Sequence, residues 1–265
     1  MHNRILLVVG DKFANYVKGK DAVTVSQLRG LLSLSIPLPN QGVTLLVPGQ
    51  GLGDDSVAQL LKEAAASPNL TFFDFTLWHN LPKRATRALS HKHYPANTLI
   101  SEPRQCSEDV FELHMMIDEN CELMNDHQSG QHVQGMILIE AARQTIVAVT
   151  EAYLLPQNGI EYAFVLNNLS VGYSHYTFPV GALLRCNILE KSVDNPKRLS
   201  FEAEILVEQC GQVVSRFLLS IGAMEKVRIS KGENMQALKA QANYLAYVAA
   251  NMQEFEEPVR QVENM

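Results

Sequence analysis

Residues 132–144 read HVQGMILIEAARQ, and the interpretation of the whole chain begins from them. Residues three and four apart share one side of a helix, so Glu140, Arg143 and Gln144 are predicted to lie together on an otherwise apolar helix. A buried carboxylate or guanidinium destabilises a protein by several kcal/mol unless it is paired or hydrogen-bonded. The stretch therefore either pairs these side chains to fix the helix or uses them in chemistry.

The composition is that of an ordinary globular protein and argues against several classes of function. Of 265 residues, 46% are hydrophobic and 19% are charged, and the net charge of −6 gives no basic surface for nucleic acid or for an acidic membrane. No apolar run reaches the ~20 residues that span a bilayer, and residues 5–9 are too short for a signal sequence. We expect a cytoplasmic protein without a membrane anchor. The cysteines show no metal-type spacing, which indicates reduced thiols and no metal site: Cys106, Cys121, Cys186 and Cys210.

The N-terminal part alternates strands with helices. Apolar runs that predict buried strands occupy residues 4–9, 43–47 and 70–77. Thr24 and Gln27 have the spacing of a capping box at the start of the first helix, and Asp54 begins a second helix that extends to about Ala66. Strands that alternate with helices pair in parallel, so residues 1–82 are predicted to form a small three-stranded α/β unit.

A glycine-rich turn, GQGLG at residues 49–53, separates the second strand from its helix. Its spacing is neither G-x-G-x-x-G nor that of a P-loop, and Asp54 and Asp55 would repel a phosphate at the helix N-terminus. We therefore favour a plain turn over a nucleotide site, and no cofactor is expected.

The second half predicts an α+β domain. A basic connector, residues 81–87, leads to strand-like pieces at residues 97–104 and 110–117. The helix then runs to about Leu155, and short connections join four long antiparallel strands: residues 164–173, 182–193, 199–209 and 212–224. A sheet that wraps the helix is predicted over residues 88–225. An apolar stripe over residues 232–254 predicts a C-terminal helix that docks on the body or on a partner subunit.

These residues resemble the A-factor biosynthesis hotdog family over residues 88–225. The resemblance lies in Gly135-Met136 and Glu140-Ala141-x-x-Gln144 on the helix, Asp126-His127 and Gln131-His132 before it, and His91-Lys92 before the first strand. It implies a long central helix wrapped by a curled antiparallel sheet. The family typically carries two such units in one chain, and this chain shows one, so a homodimer is expected. The N-terminal unit lies outside the family pattern.

The resemblance implies an acyl-thioester enzyme. The expected reaction moves a β-ketoacyl group from acyl carrier protein, or from coenzyme A, to the hydroxyl of a small acceptor such as dihydroxyacetone phosphate, in the synthesis of signals or secondary metabolites. A hotdog dehydratase or thioesterase is an alternative. So is a non-catalytic acyl-binding or scaffold subunit.

The candidate site residues each have a structural alternative. Glu140 matches the helix carboxylate of hotdog dehydratases, and burial would raise its pKa toward that of a general base unless Arg143 pairs with it. The backbone N–H of Gly135 is a candidate oxyanion donor, and its structural alternative is a plain turn at the helix start. His132 is a candidate second acid or base, and its structural alternative is a solvated loop residue. A zinc site formed by His127, His132 and Asp126 is not favoured, because these residues do not have the spacing of metal ligands on one face of a helix. The candidate substrate-binding residues are Arg143, Gln144, His127, Asp126, Lys92 and His91.

Overall fold

The computed structural model describes residues 4–36, 42–126 and 129–251. These residues form a four-stranded sheet in the N-terminal part and a six-stranded sheet in the remainder. None of the described helices has the length and apolarity needed to cross a bilayer.

The N-terminal sheet is parallel, with strand order β2-β1-β3-β4. Its strands are β1 (Arg4–Val9), β2 (Ala22–Thr24), β3 (Thr44–Pro48) and β4 (Phe73–Asp74), and its helices are α1 (Ala14–Val17), α2 (Val25–Ser33) and α3 (Asp54–Ala65). The capping box is confirmed, since Gln27 N donates to Thr24 Oγ1 and Thr24 N donates to Gln27 Oε1.

Two details of this sheet differ from the prediction. β2 was not predicted, because three residues are too few to show a periodicity. The strand expected over residues 70–77 is wrong in extent. Only β4 pairs there, between two 3₁₀ turns at Leu70–Phe72 and Thr76–Trp78.

The six-stranded sheet is antiparallel and wraps one long helix, which confirms the α+β hotdog prediction. Its order is β5-β6-β8-β9-β10-β7. The elements of this part are α4 (Arg87–Ser90), β5 (Arg104–Ser107), β6 (Val110–His114), α5 (Gly135–Val149), β7 (Tyr162–Tyr173), β8 (Leu183–Ser192), β9 (Arg198–Gln209) and β10 (Gln212–Glu225). A π-helical turn, Thr150–Leu154, continues α5 to about the predicted end. Cys210 and Gly211 both have positive φ, which closes the β9–β10 hairpin as expected.

The strand predicted over residues 97–104 is mostly irregular. Regular pairing begins only at Arg104, and Ile100 and Ser101 form isolated bridges. The backbone N–H of Leu99 is bound by the Gln144 side chain instead of by a neighbouring strand. A side chain of α5 thus takes the place of a strand partner.

The N-terminal unit has a hydrophobic cluster of its own, around Leu6, Val8 and Leu46, and also contributes residues to the core of the hotdog domain. Phe13 and Val17 belong to the same buried cluster as Ile137 of α5. Gln50 is buried, and its Nε2 donates to Met115 O while its Oε1 accepts from Ile117 N. Parallel α/β sheets usually bind ligands beyond the carboxyl ends of their strands. Here the turn after β3 is tied to the hotdog segment, since Gly51 N donates to Ile117 O, and a cavity of about 710 Å³ lies beside the turn.

The last described helix is α6 (Lys226–Ala250), which begins earlier than predicted and contains Gly232. Its apolar side chains are exposed, with Met235 72% and Leu238 60% accessible. The predicted docking on the body is therefore not observed, and the partner alternative stays a prediction. Residues 252–254 of the predicted helix lie outside the described residues.

Candidate functional site

Glu140 lies in the second turn of α5 and is the centre of a charged network. Its Oε1 accepts hydrogen bonds from Lys92 Nζ at 2.6 Å, Arg143 Nη2 at 2.8 Å and Gln144 Nε2 at 3.0 Å. Its Oε2 accepts from Arg143 Nε at 2.8 Å. The side chain is 18% exposed, so these contacts act in a partly desolvated environment. The structure therefore brings together four of the sequence candidates.

The network sets the charge state of Glu140. Burial raises the pKa of this carboxyl, but the hydrogen bonds from Arg143 and Lys92 outweigh burial and hold the pKa at about 2. The same bond to Glu140 raises the pKa of Arg143. Of the two alternatives weighed from sequence, a raised pKa or an ion pair, the structure shows the ion pair. Glu140 is ionised at neutral pH.

Gln144 is fully buried and orients the network. Its Nε2 also donates to Asn97 O at 2.8 Å, and its Oε1 accepts from Leu99 N at 2.9 Å. These bonds join α5 to the segment that follows Lys92. Gln144 therefore positions Glu140 and Lys92.

A cavity of about 190 Å³ lies beside Glu140 along the first two turns of α5. Its lining comprises Lys92, Asn97, Cys121, Glu122, Leu123, Met136, Ile139 and Glu140. Asn97 and Cys121 were not among the sequence candidates. No sequence motif points to Cys121, because it comes to line the same cavity as Glu140 only when the chain folds.

Gly135 is the first residue of α5, and its size is required by a neighbour. Tyr173 Oη donates to Gly135 O at 3.0 Å, and a Cβ at position 135 would lie 2.7 Å from that hydroxyl oxygen. The first intrahelical bond is donated by Ile137 to Gln134 O. The N–H groups of Gly135 and Met136 precede it, so the helix itself does not use them.

The loop before α5 is held by the N-terminal unit. Tyr16 N donates to Gly130 O at 2.8 Å, and Asn15 Nδ2 donates to Ser129 O at 2.9 Å. His132 Nδ1 lies 3.2 Å from Ser129 Oγ, and the His132 ring contacts the Tyr176 ring in a tilted arrangement, with 5.0 Å between the centroids and 56° between the planes. His132 is thus placed with the loop and not among the residues that line the Glu140 cavity.

The remaining loop candidates are Asp126 and His127, which were also weighed as metal ligands. Asp126 accepts from Gln134 Nε2 through its backbone oxygen at 3.0 Å, which ties the loop to the helix start. His127 lies outside the described residues. In the described ranges, no group of three His, Cys, Asp or Glu side chains is arranged to hold a metal.

His91 and Lys92 are adjacent in sequence but line different cavities. His91 has a φ of 56° at the end of α4, and its Nε2 lies 2.8 Å from Glu151 Oε1. Lys92 binds Glu140 and lines the Glu140 cavity, whereas His91 lines a second cavity together with Arg143. The two adjacent candidates could therefore contact different ligands or different parts of one ligand.

Residues 76–220, more than half of the chain, match the family model described as A-factor biosynthesis hotdog domain. The chain belongs to the A-factor biosynthesis hotdog family. The match begins before residue 88 and so includes α4, His91 and Lys92. Membership in the A-factor biosynthesis hotdog family agrees with the long helix and the antiparallel sheet that wraps it.

Solved structures with a similar fold are distant in sequence. A dehydratase heterocomplex from Xenorhabdus doucetiae is 19% identical, with a TM-score of 0.42 over 56% of this chain and 95% of that chain. A conserved protein from Pseudomonas aeruginosa is 13% identical, with a TM-score of 0.39 over 53% of this chain and 100% of that chain. A thioesterase variant from the same organism is 12% identical, with a TM-score of 0.39 over 56% and 99%. A search of curated proteins gave no match.

Proposed function

We propose that the protein transfers an acyl group from a thioester of acyl carrier protein or coenzyme A to the hydroxyl of a small acceptor. A β-ketoacyl donor and dihydroxyacetone phosphate are the proposed pair, in the synthesis of a signal or secondary metabolite. The observation that carries this proposal is an ionised carboxylate, Glu140, fixed in the wall of a cavity that follows the first two turns of α5.

Glu140 Oε2 is the proposed contact for the acceptor hydroxyl. Among the described residues it accepts one hydrogen bond, whereas Oε1 accepts three, so Oε2 retains capacity for another donor. The low pKa keeps Glu140 deprotonated and able to accept a proton, though it also makes it a weak base. A ligand that draws Arg143 or Lys92 away from Glu140 would make Glu140 a stronger base, because burial without these partners raises the pKa of its carboxyl.

The transfer itself needs three events. The hydroxyl oxygen bonds to the thioester carbon as its proton passes to Glu140. The carbonyl oxygen becomes negative near the N–H groups of Gly135 and Met136, about 7.5 Å along the helix axis from Glu140, where the helix dipole favours an anion. The carbonyl then re-forms as the C–S bond breaks, the thiolate takes up a proton, and Glu140 releases the hydroxyl proton to solvent, from which the proton donor is restored. His132 is the proposed donor, because it lies in the loop that leads into Gly135.

The products of a defined reaction test this function. We expect incubation with a β-ketoacyl carrier-protein thioester and dihydroxyacetone phosphate to give an acyl ester and one free thiol per ester, detected by mass spectrometry. Omitting the acceptor should stop both. Free acid formed without acceptor would indicate a thioesterase, and an enoyl thioester formed from a hydroxyacyl thioester would indicate a dehydratase. Acyl binding without any product would indicate a non-catalytic subunit.

We also propose that the chain forms a homodimer through β7. This strand has 12 residues and stands last in the order of the six-stranded sheet, with Val165 37% and Leu166 43% exposed. A long apolar edge strand presents unpaired N–H and C=O groups that favour pairing with another strand. A second copy of β7 would satisfy them and continue the sheet.

The mass in solution tests the dimer. Sedimentation velocity should give twice the chain mass of 29.5 kDa. Leu166→Lys places a charge on the edge and should shift the protein to the monomer, whereas Leu218→Lys, at an exposed position of β10, should leave the mass unchanged. A Leu166→Lys protein that keeps the dimer mass would rule out this interface.

A further inference from the structure

The N-terminal clamp, residues 11–17, is a 3₁₀ turn followed by α1. One of its residues, Lys12, contacts both ends of a segment of the hotdog domain. The backbone N of Lys12 donates to Glu119 Oε2 at 3.0 Å. Its Nζ donates to Met124 O at 2.8 Å and to Asn125 Oδ1 at 2.9 Å. A single residue of the N-terminal unit therefore fixes the segment between these partners at two points.

The segment that Lys12 holds is a wall of the Glu140 cavity. Cys121, Glu122 and Leu123 line this cavity and lie in the sequence between the two contact points of Lys12. Lys12 itself is not one of the lining residues, so it acts on the cavity only through this wall. A hydrogen bond from an ammonium to a carbonyl is charge-assisted and is stronger than one between neutral groups. Loss of the ammonium should therefore let the wall open more often.

The N-terminal clamp also holds the loop that leads into α5. Tyr16 N donates to Gly130 O at 2.8 Å. Asn15 Nδ2 donates to Ser129 O, and Gln131 Nε2 donates to Asn15 O, both at 2.9 Å. Gly130 has a φ of 69°, and a Cβ at this position would lie 3.1 Å from atoms of the clamp. The loop thus packs closely on the clamp just before α5, whose first two turns line the same cavity.

We propose that the N-terminal clamp positions two walls of the Glu140 site, and that Lys12 is the positioning residue for the wall that contains Cys121. The inference rests on the proposed acyl transfer, in which a displacement of reacting groups by about 1 Å can lower the rate by up to about 100-fold. The family match begins at residue 76, so the clamp lies outside it. The proposal gives the N-terminal unit a role in turnover.

Alkylation of cysteines by N-ethylmaleimide tests the clamp without turnover. Cys121 and Cys186 are buried, whereas Cys106 and Cys210 are exposed and report the activity of the reagent. In Lys12→Met the rate of alkylation at Cys121 should rise about tenfold, as expected for one lost hydrogen bond to a charged group. The rate at Cys186, in β8, should not change, because that side chain is covered by the sheet and its core. Mass spectrometry of the peptides measures each rate.

Two further variants are the controls. Lys12→Arg keeps a cationic donor and should hold the alkylation rate of Cys121 within about threefold of wild type. Lys62→Met removes an exposed cation from α3, outside the clamp, and should leave that rate unchanged. An unchanged rate at Cys121 in Lys12→Met overturns the proposal. An equal rise at Cys186 also overturns it, because the variant has then lost global stability and not one wall.

The kinetics of acyl transfer test the role in turnover. Lys12→Met should lower kcat about tenfold and change the KM of the acceptor less than about twofold. The acceptor's proposed contact, Glu140, is held by Lys92 and Arg143 and not by the clamp. Lys12→Arg should restore most of kcat.

The two measurements separate this proposal from the acyl transfer on which it rests. A wild-type kcat in Lys12→Met, despite faster alkylation of Cys121, overturns the positioning role. Absence of turnover in every protein, wild type included, together with the expected alkylation, would contradict the acyl transfer and support the hold of the clamp on the cavity wall.

Discussion

Glu140→Gln should lower kcat/KM for acyl transfer by at least about 100-fold while the protein remains folded. Glutamine keeps the shape of the side chain but cannot take the hydroxyl proton. It also leaves Lys92 and Arg143 without the charge that holds them at 2.6 and 2.8 Å. The measurement is the rate of thiol release at several concentrations of thioester, with circular dichroism to confirm the fold.

Glu112→Gln is the matched control. Glu112 is also 18% exposed at its side chain and also pairs with two cations, Arg104 and Arg185, but it lies on β6 away from the Glu140 cavity. We expect this variant to turn over within about twofold of the wild-type rate, because only an ion pair of the sheet is lost. Wild-type turnover in Glu140→Gln would instead make the Glu140 network purely structural.

The charge of Glu140 should also make the fold sensitive to acid. The pKa of Glu140 falls from 4.5 to about 2 on folding, so its stabilisation is complete above pH 4.5 and is lost as the pH falls through that window toward 2. A shift of this size corresponds to about 3 kcal/mol, of which about 2 kcal/mol is lost by pH 3.

Urea unfolding of two proteins isolates this effect from that of other carboxylates. The difference in free energy of unfolding between wild type and Glu140→Gln should shrink by about 2 kcal/mol between pH 6 and pH 3. A difference that stays constant over this range would show that Glu140 does not titrate with a depressed pKa.

The fold of the second half was predictable because its signals are local. Periodicity marks α5 and the long strands, and Cys210-Gly211 marks a hairpin by backbone chemistry alone. The pair Glu140–Arg143 follows from helix spacing in the same way. β4 was misjudged because an apolar run does not distinguish a strand from 3₁₀ turns that bury the same side chains.

The parts of the site that were missed depend on long-range contacts. Asn97 and Cys121 line the Glu140 cavity only after the chain has folded, whereas Lys92 was a sequence candidate whose contact with Glu140, across 48 residues, no local pattern shows. The start of α6 was misplaced because glycine usually weakens a helix, by about 1 kcal/mol relative to alanine, and Gly232 is nevertheless helical.

The N-terminal residues that lie in the hotdog core are synthesised long before the strands that cover them. Phe13 and Val17 of the N-terminal unit lie in one buried cluster with Phe217 and Ile221 of β10, about 200 residues later in the chain. At 5–20 residues per second, a ribosome takes roughly 10–40 s to cover that distance. During this interval Phe13 and Val17 lack the β10 side chains that share their cluster in the complete fold. Truncation before β10 should therefore uncover this face of the N-terminal unit, whereas its own cluster around Leu6, Val8 and Leu46 needs no residue of β10.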